Sequence, residues 1–288
     1  MTHAARLKAL AAERRAILVP GTPNALFARV IEELGFDAVY VTGAGIANMG
    51  YGVPDVGLTT LTEVAQVVSA VADAVDLPIV VDGDTGFGNA VNVVRTVRVL
   101  ERAGAAGIQL EDQVFPKKCG HFAGKGVIPL PEAVQKIRAA VDARRDGDFQ
   151  IIARTDARAT DGLSEALDRA RAFAEAGADI TFVEAPVSAD EMARIASDLP
   201  VPQVANIVFG GRTPALTQAE LHGMGFGLVW YANAALQAAL HSVTEVLGAL
   251  KQDGGLDRVA DRLASFEVRQ SAVQKDRWDA LEARYRQE

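Results

Sequence analysis

Ala103-Gly104-Ala105-Ala106-Gly107-Ile108-Gln109-Leu110-Glu111-Asp112 carries the end of one element, the entry to the next and a polar exit. The Ala-rich run before it, Val93 to Ala103, has the 3.6-residue period of an amphipathic helix, and Gly104 stands where such a helix ends. Gly107–Glu111 then reads as a short strand that finishes on two carboxylates. Similar glycine-led entries recur in Leu34-Gly35-Phe36-Asp37 and Ala176-Gly177-Ala178-Asp179. Working outward, β-branched runs predict further strands at Ile17–Val19, Ala38–Val41, Ile79–Asp82, Ile151–Arg154, Ile180–Glu184, Gln203–Asn206 and Leu228–Tyr231. Helical segments such as Leu61 to Val75 lie between them. Eight strand–helix units imply an α/β fold of the (β/α)8 TIM-barrel type more readily than an open sheet.

The strand ends repeat one chemistry. In order they are Thr42-Gly43, Asp82 and Asp84, Glu111-Asp112, Arg154 and Asp156, Glu184, and Asn206. A single carboxylate after a strand is commonly a helix cap. Six successive polar ends are better explained by a shared site, because a barrel gathers all of them at its C-terminal mouth. Asp82-Gly83-Asp84, with Glu111 at the next strand end, supplies the hard oxygen ligands that Mg²⁺ or Mn²⁺ prefers.

The chain of 288 residues is 49% hydrophobic and 23% charged, enough to bury a large core. Its net charge of -8, with charges interspersed, disfavours nucleic acid and polyanionic membranes as partners but not an anionic small substrate. The absence of a secretory apolar core or a bilayer-length apolar run, and a single cysteine, lead to a cytoplasmic expectation. The barrel with its N-terminal helix is expected over 1–252. A C-terminal helical extension is expected over 253–288, after the break at Gln252-Asp253-Gly254-Gly255. Leu256, Val259, Leu263 and Phe266 would share one helix face there, packed on a second subunit or on the chain's own barrel.

The lone thiol, Cys119, sits in Lys117-Lys118-Cys119-Gly120-His121. Neighbouring Lys and His favour thiolate and make it a tunable acid–base group, although most free cysteines are small buried hydrophobes. Zinc through Cys119 and His121 is a weaker reading, since no second Cys–His cluster completes a tetrahedral site.

Glu111-Asp112-Gln113-Val114-Phe115-Pro116-Lys117-Lys118-Cys119-Gly120-His121 and Ile152-Ala153-Arg154-Thr155-Asp156-Ala157 carry a further signal. Supporting them are Pro54-Asp55, Asp82-Gly83-Asp84, Val183-Glu184-Ala185, and Asn206-Ile207-Val208 through Thr213-Pro214. On these motifs the chain, from about Pro20 to Ala235, resembles the isocitrate lyase / phosphoenolpyruvate mutase superfamily, nearest its 2-methylisocitrate lyase and 2-alkylmalate lyase branch. The resemblance implies a barrel whose terminal helices are exchanged between subunits of a homotetramer. It also implies Mg²⁺-dependent cleavage of a carbon–carbon bond in a 2-hydroxy di- or tricarboxylate, releasing pyruvate or a related 2-oxo acid. By the same resemblance Asp82 and Asp84 hold the metal (Mn²⁺ is an alternative), with Asp55 and Glu111 around them. Thr42, Gly43 and Ala44 meet the carboxylate of the 2-oxo product, and Gly120, His121 and Asn206 the leaving one. Arg154 meets an anionic oxygen. Cys119 is the acid that protonates the departing fragment, organised by His121 and Glu184 with Lys117 alongside, and Tyr40 is the hydroxyl base.

Departures from the family pattern bear on substrate identity. Thr42-Gly43-Ala44 replaces Ser-Gly-Gly or Ser-Gly-Ala, and Gly83 replaces the middle Ala of Asp-Ala-Asp. Phe209 stands where the alkylmalate-cleaving branch typically has Glu, and Tyr231-Ala232 where Tyr-Pro is common. Phe122-Ala123-Gly124-Lys125 lacks the Arg-Pro-Asn of typical 2-methylisocitrate lyases, which favours a substituted malate over a third carboxylate. Oxaloacetate hydrolysis or decarboxylation is the second enzymatic reading. Phosphonopyruvate-type P–C chemistry is disfavoured by Cys119, and ligand binding without turnover would need no proton donor.

Overall fold

The computed structural model describes residues 1–118 and 124–286. Eight strands form one parallel sheet: β1 (Ile17–Thr22), β2 (Val39–Val41), β3 (Ile79–Asp82), β4 (Gly107–Glu111), β5 (Gln150–Thr155), β6 (Ile180–Val183), β7 (Val204–Asn206) and β8 (Leu228–Tyr231). The hydrogen-bonded order β6-β5-β4-β3-β2-β1-β8-β7 is closed by a parallel bridge between Thr181 and Gln203, so the sheet is a (β/α)8 barrel. Gly104 has φ +105 and ends the Ala90–Arg102 helix as expected. Its N–H donates to the Glu101 carbonyl, and a Cβ there would stand 2.5 Å from that of Ala72. Only glycine fits the turn.

Strand periodicity decides what fills the barrel. Inward-facing Val19, Tyr40, Val80, Ile152, Phe182 and Trp230 form a core of their own, distinct from the two apolar layers between sheet and helices. Tyr40 and Trp230 stack at 5.0 Å with planes 13° apart. The N-terminal helix His3–Ala12 floors the barrel with Leu7 and Ala11. Gly107 and Gly227 admit it, because a Cβ on either would meet Leu7 or the Ala11 carbonyl within about 3 Å. The filled lower barrel leaves only the C-terminal mouth for a site.

The helix after β8, Ala234–Asp253, departs from the pattern of an outer barrel helix. It buries Val246 and Ala249, with Val259, but leaves Leu240, Val243 and Leu247 exposed. The tail is not the single amphipathic stretch expected from sequence. A 3-10 turn, Asp257–Arg262, is kinked at Val259, and a new helix, Phe266–Ala272, starts at the Ser265 cap, leaving Leu256, Leu263 and Phe266 exposed. Helix Lys275–Tyr285 buries none of its residues. Among the described residues no helix is long and apolar enough to cross a membrane.

Candidate active site

Closure of the barrel brings Thr42, Ala44, Asp82, Glu111, Arg154, Glu184 and Asn206 around one pocket, floored by Tyr40, Phe182 and Trp230. Each is delivered by the end of a strand, whose alternation turns the side chain inward. The loop after β3 is tied at several points. Gly43 N–H donates to Asp82 Oδ2 (3.3 Å), and Asp84 N–H to Asp82 Oδ1 (3.1 Å). Gly83 N–H reaches the Gln109 carbonyl, and Glu111 N–H reaches that of Asp84. Thr42 caps the Gly43–Gly45 turn through its hydroxyl, which accepts from Gly45 N–H at 3.4 Å.

Buried cations organise the carboxylates. Lys117 Nζ pairs with Asp55 and, at 2.6 Å, with Asp84. Burial opposes its charge, but Asp84, Glu111, Asp82 and Asp55 together hold the ammonium well above the ordinary lysine range. Arg154 grips Asp156 with both arms of its fork, Nε to Oδ2 at 2.9 Å and Nη2 to Oδ1 at 3.0 Å. Its Nε also lies 3.4 Å from Glu111, and its Nη1 3.4 Å from Glu184. Lys125 Nζ reaches Asp156 Oδ1 at 2.5 Å. Although burial works against its charge, Arg154 and Lys125 hold Asp156 below the usual carboxylate range. Beneath it, Asp112 accepts from Asp156 N–H, the Thr155 hydroxyl and Arg169.

Burial pushes Asp84 up to about 7 against the pull of Lys117, and Glu111 well above its ordinary value against that of Arg154. These acids are short of stabilising positive charge. Glu111 Oε1 is buried and has no hydrogen-bond partner among the described residues. The backbone of Gly43 leaves a cradle in which a Cβ would stand 3.1 Å from Asp82 Oδ2 and 3.5 Å from Asp84 Oδ1. An all-oxygen donor set of this kind fits Mg²⁺ or Mn²⁺. Among the described residues no three acidic or His/Cys side chains converge as a metal-holding group, and Asp55 is taken by Lys117. A hydrated ion on one or two carboxylates, chiefly Asp82 and Asp84, matches the way Mg²⁺ is usually held.

Other expected residues fall out as follows. Asn206 Nδ2 donates to Glu184 Oε2 at 3.4 Å. Burial first, then Asp82, pushes the Tyr40 phenol well above its usual range, and its ring stacks on Trp230 at the pocket floor. Lys117 reaches Asp55 and Asp84, and most of Arg154's fork is already engaged. Cys119, Gly120 and His121 lie outside the described residues. Lys125, Gln109 and Trp230 escaped the sequence reading as site residues, while Asp156 figures there only as one of the polar strand ends. For Gln109 a signal existed, since it is a polar residue at the inward-facing period two positions before Glu111.

Residues 7–251 match the phosphoenolpyruvate phosphomutase family. A 2,3-dimethylmalate lyase from Eubacterium barkeri is 48% identical over 266 residues, which cover 92% of each chain. A 2-methylisocitrate lyase from Aeropyrum pernix is 43% identical over 257 residues, 89% of this chain and 82% of the relative. The solved structure of an oxaloacetate acetylhydrolase with the inhibitor 3,3-difluorooxalacetate superposes with a TM-score of 0.91 at 34% identity, covering 98% of this chain and 96% of that one. A phosphonopyruvate hydrolase solved with oxalate and Mg²⁺ superposes at 0.88 with 34% identity, covering 99% of both chains.

Proposed function

This chain belongs to the phosphoenolpyruvate mutase and isocitrate lyase superfamily and is a carbon–carbon lyase; we propose that it cleaves a 2-hydroxy di- or tricarboxylate of the 2-alkylmalate type. The products are pyruvate or a related 2-oxo acid and a carboxylic acid. The observation that carries this reading is the convergence of Asp82, Glu111 and Arg154 in one pocket at the barrel mouth, with Asp84 joined to it through Lys117.

Asp82 and Asp84, with Glu111 alongside, would hold Mg²⁺ or Mn²⁺, which would supply electrophilic stabilisation for negative charge on the substrate oxygens. Thr42 and Ala44 line the same wall and orient the 2-oxo acid end. Arg154 Nη1 and Asn206, both against Glu184, offer donors on the opposite side. Loss of the hydroxyl proton lets the oxygen lone pair form the new carbonyl as the C2–C3 bond breaks. Its electron pair passes to the leaving fragment as an aci-carboxylate. Glu111 Oε1, buried and unpartnered among the described residues, is the acceptor we assign to the hydroxyl proton once a bound cation keeps Glu111 ionised. Cys119, with His121, is the assigned acid for the leaving fragment; this role rests on the sequence motif.

We assign a homotetramer in which the Ala234–Asp253 helix packs on another copy. Its exposed Leu240, Val243 and Leu247, and the apolar groove between this helix and Leu18, Phe27, Val30, Leu34 and Phe36, are the surfaces that support the reading. The single cysteine supports a cytoplasmic setting.

The test is pyruvate or 2-oxo acid release with Mg²⁺ from 2,3-dimethylmalate, 2-methylisocitrate and oxaloacetate, comparing wild type with Cys119→Ser. Cleavage of an alkylmalate that falls at least ~100-fold in the variant is expected. Turnover of oxaloacetate alone would replace this reading with the hydrolase or decarboxylase one. Equal rates in the variant would remove Cys119 from the mechanism.

A further inference from the structure

We infer that Gln109 is a positioning residue for the ion site, acting through Asp82, with Trp230 setting the direction of its amide. This role presupposes Asp82 as a metal ligand. Gln109 is fully inside the barrel on β4, one layer below Glu111. Trp230, on β8 across the barrel, donates its indole N–H to Gln109 Oε1 at 3.1 Å. An indole nitrogen only donates, so the amide oxygen must face it. The amide nitrogen is thereby turned the other way, to Asp82 Oδ1 at 3.5 Å. The Asp82 oxygen accepts from this nitrogen, so the Trp230–Gln109–Asp82 chain runs in one direction.

The surroundings hold this arrangement in place. Tyr40 stacks on the Trp230 ring and prevents it from turning. A Cβ on Gly83 would stand 2.8 Å from the Gln109 carbonyl, so the ligand loop sits directly against this strand. Gly43 N–H takes the other Asp82 oxygen, leaving the carboxylate oriented from two sides. With the amide reversed, its oxygen would confront Asp82 Oδ1 and repel the anion that binds metal. Outer partners of this kind typically change metal affinity by about 10–100-fold when removed.

The experiment is a Mn²⁺ titration followed by water-proton relaxation, without substrate, on wild type, Gln109→Leu, Trp230→Phe and the double variant. Gln109→Leu is expected to raise the Mn²⁺ Kd about 10-fold or more, with turnover recovering at saturating Mn²⁺. Trp230→Phe, which keeps an aromatic ring against Tyr40, should weaken binding by a smaller factor. The double variant should bind no more weakly than Gln109→Leu, since both changes act through one hydrogen-bonded chain. Wild-type affinity in Gln109→Leu, or factors that multiply in the double variant, would overturn the positioning role. Mn²⁺ failing to bind wild type would instead overturn the metal reading of Asp82, and the role of Gln109 with it. Trp230→Phe provides a gentler second perturbation should Gln109→Leu fold poorly.

Discussion

Asp156→Asn removes the buried anion that serves two cations at once. In the native protein Arg154 grips Asp156 with two bonds and Lys125 adds a third at 2.5 Å, all three side chains being at least nine-tenths buried. Removing one partner from a buried ion pair costs about 3–5 kcal/mol, because the remaining charge is left in a poor solvent. Arg154 keeps Glu111 and Glu184 at 3.4 Å, so its charge is only partly stranded and the lower part of that range, about 3 kcal/mol, is expected. Lys125→Met should cost less, about 2 kcal/mol, since Asp156 retains the whole Arg154 fork. The pH sign follows from the depressed carboxylate. Asp156 stabilises the fold above its unfolded pKa, and that stabilisation is lost only as pH falls through its lower folded value. The Asn variant should therefore show nearly the same deficit at pH 7 and pH 5. Urea unfolding by linear extrapolation measures both, on metal-free protein. An Asn variant within about 1 kcal/mol of wild type at pH 7, with an unchanged m-value, would refute the claim that this anion neutralises the pair of cations.

Asp112 and Asp84 carry the opposite sign. Burial first, with nearby acids adding to it, raises Asp112 from 3.8 to about 6, and Asp84 rises to about 7 by burial against the pull of Lys117. The folded chain thus holds protons that the unfolded chain has released, and stability falls as pH rises from about 4 to 7; Asp112 alone accounts for roughly 3 kcal/mol. With chelator present the Tm should be higher at pH 5 than at pH 8, and adding Mg²⁺ near pH 6 should release protons into weak buffer. A chelated Tm that climbs steadily from pH 5 to 8 would contradict this. For the exposed helix, Leu240→Glu with Val243→Glu should convert a tetramer to smaller species in sedimentation velocity, and a monomeric wild type would rule out the exchanged-helix assembly.

The barrel was legible because its signals are local. Strands β3, β4 and β8 start and end where β-branched runs and glycine entries place them. Helix termini were equally plain at Gly104, where only one residue type fits the turn. What the sequence concealed are pairings between distant strand ends. Lys117 reads as a neighbour of Cys119, yet its ammonium is committed to Asp55, 62 residues away. Trp230 and Gln109 are 121 residues apart and meet only because the barrel closes. The tail is a helical extension as its sequence implies, but not one continuous stretch. Its apolar residues keep a helical spacing, but the kink at Val259 and the Ser265 cap split the segment, and spacing alone does not register such breaks.

The same closure explains why the pocket is chemically demanding. Among the described residues Asp55, Asp84, Glu111, Asp156 and Glu184 gather on buried Lys117, Lys125 and Arg154, with Asp82 beside them, so carboxylates are in excess in this cluster. In a low-dielectric cavity that excess must be relieved by protonation or by an added cation. The raised Asp84 and Glu111 show the first route in the metal-free chain, and their oxygens are the ones a divalent ion would occupy in the second. Proton uptake and metal binding are therefore competing solutions at one pair of side chains. Arg154 cannot supply the missing charge, because Asp156 holds its fork. A substrate bringing further carboxylates into this pocket would deepen the imbalance, which makes a divalent cation the means by which the rim could accept an anionic ligand at all.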